Sequence, residues 1–235
     1  MDRRSKLDKK EQLILELWAC GAIQFAPWYR HGFKFKFHQT HPRAPRAPMK
    51  FQIRTPEVLT YGGGALSEHL LDLVVELMCD EVDATRLLID AIAGIPNAGV
   101  PIARKASRRL GVRCVPMKKE GSGDKRHISH IDPPIHPARV LGLFDDVISH
   151  GGSKLEAVQL SNDADWTVWA LVVLIDWQLG GLEFMKNNGL RVLTVTNVVE
   201  VLDILRRHCL ITRRQHRRVL NYLTADRLYR ADLAA

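Results

Sequence analysis

The sequence lacks the features that mark secreted, disulfide-bonded or membrane-spanning proteins. Its four cysteines are widely scattered and form no CxxC pair, which favours reduced thiols. No apolar run approaches the roughly 20 residues that a transmembrane helix needs, and the longest, 168–175, has the length of a strand. The N-terminus, MDRRSKLDKKEQ, carries mixed charges instead of an apolar signal region. These absences predict a cytoplasmic protein that has no membrane partner.

Internal repeats and low-complexity tracts are also missing. The chain has 235 residues, of which 46% are hydrophobic and 26% charged. That length and composition suit one α/β domain with an accessory segment and are sufficient for a full core.

Positive charge is in excess, with a net charge of +8. A good share of it lies near the C-terminus, where four arginines fall on one face of a predicted helix: Arg213, Arg214, Arg217 and Arg218. Such a face could bind phosphate, but arginines at this spacing are more often a solvated helix side. We therefore do not expect a nucleic-acid partner. Anionic small substrates would also suit a basic protein.

Apolar patterning predicts strands that alternate with helices. Expected helices cover 6–20, 64–80, 99–111, 152–162 and 181–189, followed by two at the C-terminus, with Ser67 a cap if its helix begins late. Expected strands cover 86–94, 112–117, 138–144, 166–176 and 191–195. We expect irregular structure with one or two short strands over 25–56, and a polar loop over 118–137. The alternation and the apolar strands indicate a mainly parallel sheet.

Three polar loops follow the expected strands, and ligands of such sheets bind outside the carboxyl ends of the strands. The loops read GIPNAGV, KKEGSGDKRH and DDVISHGGS. In the last, backbone N–H groups and hydroxyls at a helix N-terminus form a phosphate cradle from Ser149, Gly151, Gly152 and Ser153. Asp145 and Asp146 precede it, and ionised carboxylates suit sugar hydroxyls. Together these features indicate a ribose 5-phosphate site.

The stretch LGLFDDVISHGGS resembles the phosphoribosyl pyrophosphate (PRPP) motif of type I phosphoribosyltransferases. Residues 172–211 resemble the end of orotate phosphoribosyltransferases, and AIAGIPNAGVPIA is similar to that family's pyrophosphate-contacting loop. Upstream, APMKFQIR resembles the family's Ser-Pro-x-Tyr-x-Asp-x-Arg segment. The resemblance implies an α/β fold with a twisted, mainly parallel sheet flanked by helices, and usually a dimer. It also implies an N-terminal helix and hood segment over 1–60 and a core over 61–235.

The resemblance assigns roles to individual residues. Asp145 and Asp146 would hold the ribose hydroxyls, and residues 149–153 would hold the 5-phosphate, with His150 either touching the ligand or pointing outward. Pyrophosphate would meet backbone groups of Asn97, Ala98 and Gly99. Mg²⁺, held mainly by PRPP, would neutralise the departing charge, and no residue is predicted as a direct metal ligand.

The chain departs from the family in two places. The family's flap pattern, Arg-Lys-Glu-x-Lys-x-His, is matched in charge by Lys118 and Lys119, but its next lysine position is Ser122, with basic residues returning at Lys125. The flap is therefore either re-registered by an insertion or degraded.

The second departure concerns the base. An Asp-Arg pair, whose arginine helps to bind the orotate carboxylate, is replaced by Asp176-Trp177, and an indole cannot supply that charge. Arg30 is the expected substitute, ahead of Arg54 and then Lys50. An insertion over 33–46 also separates the hood from the segment that begins at Ala47.

The leading hypothesis is transfer of phosphoribosyl from PRPP to orotate, which gives orotidine 5′-monophosphate (OMP) and pyrophosphate. One alternative is the same reaction on a different base, and another is a non-catalytic homologue that binds PRPP or a nucleotide as a signal. Histidine pairs at 38/41 and 127/130 would suit zinc only if a helix brought each pair together.

Overall fold

The computed structural model of the chain describes residues 3–27, 31–35, 37–54, 65–86, 88–121, 127–135 and 139–234. Its helices are α1 (Arg3–Ala19), α2 (Phe37–Thr40), α3 (Glu68–Ala84), α4 (Gly99–Leu110), α5 (Gly152–Asp163), α6 (Gly181–Asn187), α7 (Val198–Arg207) and α8 (Arg213–Ala234). Its strands are β1 (Ile23–Phe25), β2 (Met49–Phe51), β3 (Ala91–Gly94), β4 (Arg113–Val115), β5 (Met117–Glu120), β6 (His127–Ile131), β7 (Val140–Ile148), β8 (Thr167–Asp176) and β9 (Arg191–Asn197).

A five-stranded parallel sheet forms the centre of the molecule, in the order β4-β3-β7-β8-β9. Alternate residues of its middle strands face opposite sides. Leu143 and Leu171 pack with α5 and α6, whereas Phe144 and Val172 pack with α1, α3, α4, α7 and α8. Helices cover both faces of the sheet. Strands β7 and β8 are therefore buried on both sides, and their residues are mostly apolar. The predicted α/β fold with a mainly parallel sheet is confirmed.

Helix α3 begins late, as the cap at Ser67 requires. The Ser67 hydroxyl accepts a hydrogen bond of 3.1 Å from the Leu70 N–H, which satisfies one of the free donors of the first turn. The helix therefore starts at Glu68 and not at Gly64.

The expectation of a loop over 118–137 is wrong in part, because β5 and β6 pair as an antiparallel hairpin. Met117, Ile128 and Ile131 bury their side chains in the core beneath it, and this burial stabilises strands whose other positions are polar. The Ile128 N–H also donates to Glu156 of α5 at 2.8 Å.

Strand β7 is longer than expected, since it continues past the two acids to Ile148. Its backbone remains paired with β8 up to the Ile148–Asp176 register. Asp145 and Asp146 therefore lie inside the paired strand and not after it, so the expectation that the strand ends at Phe144 is wrong.

The N-terminal segment adds a two-stranded antiparallel sheet of β1 and β2, and α2 lies inside the insertion over 33–46. Leu13, Ile14 and Leu17 of α1 are fully buried and join the main core. In the part of the chain that the structure describes, no helix combines the length and apolarity needed to cross a bilayer.

Candidate functional site

Three loops meet at the carboxyl end of the parallel sheet, formed by residues 95–98, 149–151 and 177–180. Backbone hydrogen bonds tie the first loop to β7 and the second loop to the start of α6. The Ile95 N–H donates to the Phe144 carbonyl at 2.9 Å, and the Gly181 N–H donates to the Ser149 carbonyl at 2.9 Å. The topology therefore brings the sequence-predicted residues 97–99, 145–146 and 149–153 to one edge of the sheet.

The loop between β7 and α5 has the geometry of an anion site. Gly151 has a φ of +86° and is the N-cap of α5. A side chain at this position would approach the Phe184 ring to 2.8 Å, so glycine is required both by the backbone and by space. Gly152 and Ser153 open the helix, where N–H groups lack intrahelical acceptors and attract negative charge.

Gly99 explains how the second loop can approach the acidic pair. A Cβ on Gly99 would lie 2.3 Å from the Phe144 carbonyl oxygen and 3.3 Å from the Asp145 Cα. Only glycine permits this contact. The Pro96–Asn97 peptide bond, just before it, is cis.

Asp145 is buried, with 4% of its surface exposed, and Lys154 lies against it. The Lys154 ammonium is 2.6 Å from the Asp145 Oδ2, while the Asp145 Oδ1 accepts the Asp146 N–H at 2.9 Å. The Asp146 Oδ1 accepts the Val147 N–H at 2.8 Å. The sequence interpretation missed Lys154, although a lysine in the first turn of the helix after a buried acidic pair was a readable signal.

The surroundings of the two carboxyl groups oppose a second negative charge. Burial, together with the neighbouring Asp145 carboxylate, raises the pKa of Asp146 to about 8, although Lys154 acts in the opposite direction. Two adjacent acids cannot both ionise easily in such a place. The pair is therefore suited to a ligand that supplies hydroxyl donors or a cation.

The flap lysines lie on the β5–β6 hairpin. Lys118 is exposed and Lys119 half-buried, and within the described residues no contact joins either of them to the acidic pair. Lys125 lies outside the described residues, so its predicted place beside pyrophosphate stays a prediction.

A cavity of about 220 Å³ opens beside residues 149–151, and we call it the aromatic cavity. Residues 149–151 belong to the predicted 5-phosphate site, and we call them the phosphate loop. It is lined by Phe35, Phe37, His38, Ala47, Val147, Ser149, His150, Trp177, Leu179, Tyr222, Asp226 and Arg230. Trp177 is almost fully buried and packs edge-on against Phe51 and Tyr222, at ring-centroid distances of 5.1 and 6.2 Å. The volume of the cavity suits a planar base of one ring or two fused rings, and its lining is typical of small-ligand sites.

His150 does not point outward. Its Nε2 lies 2.9 Å from the Oδ2 of Asp226 on α8, and the same oxygen accepts the Arg230 Nε–H at 2.9 Å. Burial raises the pKa of Asp226, but the hydrogen bonds from His150 and Arg230 outweigh it and hold that pKa below its usual value. The sequence interpretation missed Asp226 and Arg230, because nothing in the chain indicated that α8 reaches the phosphate loop.

The cations expected at the base have different positions. Arg30 lies outside the described residues. Arg54 pairs its backbone with the segment after it, where its carbonyl accepts the Leu66 N–H at 2.8 Å. The Lys50 ammonium bonds the Gln52 side chain at 2.7 Å and lies 4.8 Å from the centre of the Phe33 ring. Neither Arg54 nor Lys50 lines the aromatic cavity as the structure describes it.

Neither histidine pair is part of a metal site among the described residues. His127 and His130 lie on strand β6 and not on a helix, and the His130 Nε2 lies 2.9 Å from the Asp132 Oδ1. His38 bonds the Pro45 carbonyl at 3.0 Å. Over the residues that the structure covers, no group of three or more His, Cys, Asp and Glu side chains is arranged to hold a metal ion.

The predicted arginine face is present on α8. A shallow groove there is lined by Arg213, Arg214, Arg217, Arg218 and Asn221. It is separate from the residues that line the aromatic cavity.

Known proteins share this architecture. The chain is 27% identical over 175 residues to the orotate phosphoribosyltransferase of Sulfurisphaera tokodaii, which covers 69% of the chain and 88% of that protein. The structure matches UMP synthase of Leishmania donovani with a TM-score of 0.69 at 21% identity, over 92% of this chain and 42% of that one. It matches orotate phosphoribosyltransferase of Aeropyrum pernix with a TM-score of 0.62 at 20% identity, over 85% and 99%. No protein-family model matches the chain.

These likenesses confirm the resemblance that the motifs indicated. The chain has the type I phosphoribosyltransferase fold, and its sequence is similar to orotate phosphoribosyltransferases.

Proposed function

We propose that the chain is a phosphoribosyltransferase that transfers phosphoribosyl from PRPP to orotate, giving OMP and pyrophosphate. One observation carries the proposal. A glycine-rich helix start and an acidic pair, of which Asp145 is buried, lie together beside an aromatic cavity, at the carboxyl end of a parallel sheet. Phosphate, ribose and base would therefore each meet the chemistry that suits it. Sequence similarity to orotate phosphoribosyltransferases supports the choice of reaction.

The residues would divide the substrate between them. The N–H groups and hydroxyls of 149–153 would bind the 5-phosphate, and Asp145 and Asp146 would accept hydrogen bonds from the ribose hydroxyls. Asn97, Ala98 and Gly99 would offer backbone groups to pyrophosphate. Holding both substrates in line lowers the barrier, because the reacting atoms need no further ordering.

The acidic pair also fits a hard cation that arrives with PRPP. Carboxylate oxygens suit Mg²⁺, and the raised pKa of Asp146 indicates that its surroundings do not stabilise the ionised carboxylate, which a bound cation would do. When bound, Mg²⁺ would neutralise charge on the pyrophosphate that leaves. Lys118, Lys119 and Lys125 would supply further positive charge from the flap, in a dimer from either subunit.

A specific observation favours a second candidate, which is the same reaction on another base. The position at which the family has a carboxylate-binding arginine holds the buried indole of Trp177, and the aromatic cavity is largely apolar. The cytoplasmic location, the division into hood 1–60 and core 61–235, and the homodimer remain predictions from the sequence.

Turnover with a panel of bases tests the proposal. The chain, PRPP and Mg²⁺ would be incubated with orotate, uracil, adenine or hypoxanthine, and nucleotide and pyrophosphate would be measured. We expect OMP from orotate, at a rate at least tenfold above that from any other base. Preference for another base would favour the second candidate. PRPP binding without turnover on any base would favour a non-catalytic binding protein.

A further inference from the structure

The polar residues that line the aromatic cavity lie on three segments, of which α2 contributes His38. Ser149 and His150 belong to the phosphate loop, and Asp226 and Arg230 belong to α8. Asp226 has only 2% of its surface exposed and lies behind His150 and Arg230, bonded to both. The side chains of His150 and Arg230 are 31% and 27% exposed. The accessible polar surface therefore includes the Arg230 guanidinium, whose N–H donors suit an anionic group.

Arg230 is held in one orientation. Its Nε–H donates to Asp226 at 2.9 Å, and its guanidinium lies 4.0 Å from the centre of the Phe37 ring. Phe37 in turn stacks on His41 at 4.1 Å. A guanidinium has five N–H donors in a planar fork, so the hydrogens on its two terminal nitrogens remain to bind a carboxylate. An arginine fixed in this way loses little entropy when it binds.

Arg230 is also the single lysine or arginine among the described residues that line the aromatic cavity. A carboxylate buried there without a cation would be costly, and Trp177 cannot provide one. Lys50 and Arg54 do not line the cavity.

We infer that Arg230, buttressed by Asp226 and Phe37, binds the carboxylate of a six-membered nitrogen base that stacks beside Trp177. The inference rests on the proposed phosphoribosyl transfer and names the class of base, a pyrimidine that carries a carboxylate. In the family an arginine at the position of Trp177 supplies this positive charge, whereas here Arg230 of α8 supplies it. His150 ties this helix to the phosphate loop, so the base and the 5-phosphate are held by one connected set of side chains.

Binding of two nucleotides tests the inference without depending on turnover. OMP carries the carboxylate and UMP lacks it, while both carry the same ribose phosphate. We expect the wild type to bind OMP more tightly than UMP in calorimetry. Arg230→Met should weaken OMP binding by about 100-fold, as expected for the loss of one partner of a buried charge pair, and change UMP binding by less than about threefold. Arg230→Lys, which keeps the charge without the fork, should lose about tenfold.

Arg217→Met serves as the matched control, because Arg217 lies on the exposed arginine face of the same helix. It should leave both affinities unchanged. Arg30→Ala provides a direct comparison, and a loss of OMP preference there, with Arg230→Met unaffected, would overturn the assignment. Retained UMP binding shows that a variant is folded, and should Arg230→Met not fold, Arg230→Lys supplies the same comparison.

The outcomes separate this inference from the proposed reaction. A wild type that turns over orotate while Arg230→Met keeps its OMP preference would remove Arg230 and leave the reaction intact. A wild type that lacks turnover but shows an Arg230-dependent preference for OMP would remove the reaction and leave the carboxylate site. A wild type that binds UMP as tightly as OMP would overturn the carboxylate site itself.

Discussion

At the scale of single residues, the acidic pair shows how a binding site costs stability. Asp145 has a cation at 2.6 Å in Lys154, whereas Asp146 has a pKa of about 8 because burial and the neighbouring carboxylate oppose its charge. A raised pKa of an acid means that ionising the group destabilises the fold. The site therefore holds a carboxyl group whose surroundings favour its neutral form until a ligand or a higher pH changes them.

Asp146→Asn should separate the effect of this carboxyl group on stability from its effect on ligand binding. The wild-type carboxyl group ionises near pH 4 in the unfolded chain but near pH 8 in the folded one. The unfolded state thus binds fewer protons in this interval, and wild-type stability falls as pH rises from about 4 to 8. Asparagine does not titrate in this range. The melting temperature of the variant minus that of the wild type should therefore increase as pH rises from about 4 to 8. Thermal denaturation of the metal-free protein at several pH values measures the difference.

The same variant should bind PRPP more weakly, because it loses a charge-assisted hydrogen bond that typically contributes about 1.5–3 kcal/mol. Calorimetry at pH 8.5, where Asp146 is ionised, checks this expectation. Unchanged PRPP affinity would rule out the acidic pair as the ribose site, whatever the melting curves show.

At the scale of elements, the β5–β6 hairpin carries Lys118 and Lys119 and is anchored next to the site. Its base is fixed by buried Met117, Ile128 and Ile131 and by the bond from Ile128 to Glu156 on α5. Helix α5 starts at the phosphate loop, so the hairpin is anchored next to the site. Its lysines can therefore act near the site without belonging to the cavity lining.

Removing the flap charges should affect the reaction more than binding. Lys118→Ala with Lys119→Ala should lower kcat by about 100-fold or more if these charges stabilise departing pyrophosphate. UMP affinity should change little, since UMP carries no pyrophosphate. Steady-state kinetics and calorimetry on one preparation measure both. Lys186→Ala, on α6, is the control, and an equal loss of turnover and UMP binding would contradict a transition-state role.

At the scale of the whole molecule, one subunit of 26.6 kDa holds the phosphate loop, the acidic pair and the aromatic cavity on a single core. Two hydrogen bonds join helix α8 to the site. One links His150 and Asp226, and in the other Arg227 donates to the Gln178 carbonyl at 2.6 Å. The second link fixes the turn that presents Trp177. In the expected dimer, we predict that the partner's flap meets this site.

Mixing two inactive variants tests whether that flap acts across the dimer. One chain carries Lys118→Ala and Lys119→Ala, and the other carries Asp146→Asn. If each site uses the partner's flap, an equal mixture after subunit exchange should recover about a quarter of wild-type turnover, because half of the dimers then contain one intact site. A flap that serves its own subunit would give no recovery. Size-exclusion chromatography with light scattering would establish the dimer beforehand.

The sequence by itself determined the class of fold and the glycine-rich helix start that follows the acidic pair. Both depend on local patterns: alternating apolar strands and helices, and glycines at a helix start. Such patterns are readable because strand and helix periodicity and the φ of Gly151 are properties of neighbouring residues. The ends of β7 and the β5–β6 hairpin were misjudged because pairing with a distant strand decides where an extended segment stops.

Only the tertiary structure shows that Arg230 lines the aromatic cavity. Motif order indicated Arg30, Arg54 and Lys50. Arg30 lies outside the described residues, and its prediction stays a prediction, whereas Arg54 and Lys50 do not line the cavity as described. Asp226, the partner of Arg230, is 76 residues from His150 of the phosphate loop. Lys154 is close to Asp145 in the sequence, but their ion pair depends on how β7 and α5 pack against each other. Contacts of this kind arise from the packing of α8 and α5 against the sheet, and side-chain packing between distant segments leaves no periodic trace in the chain.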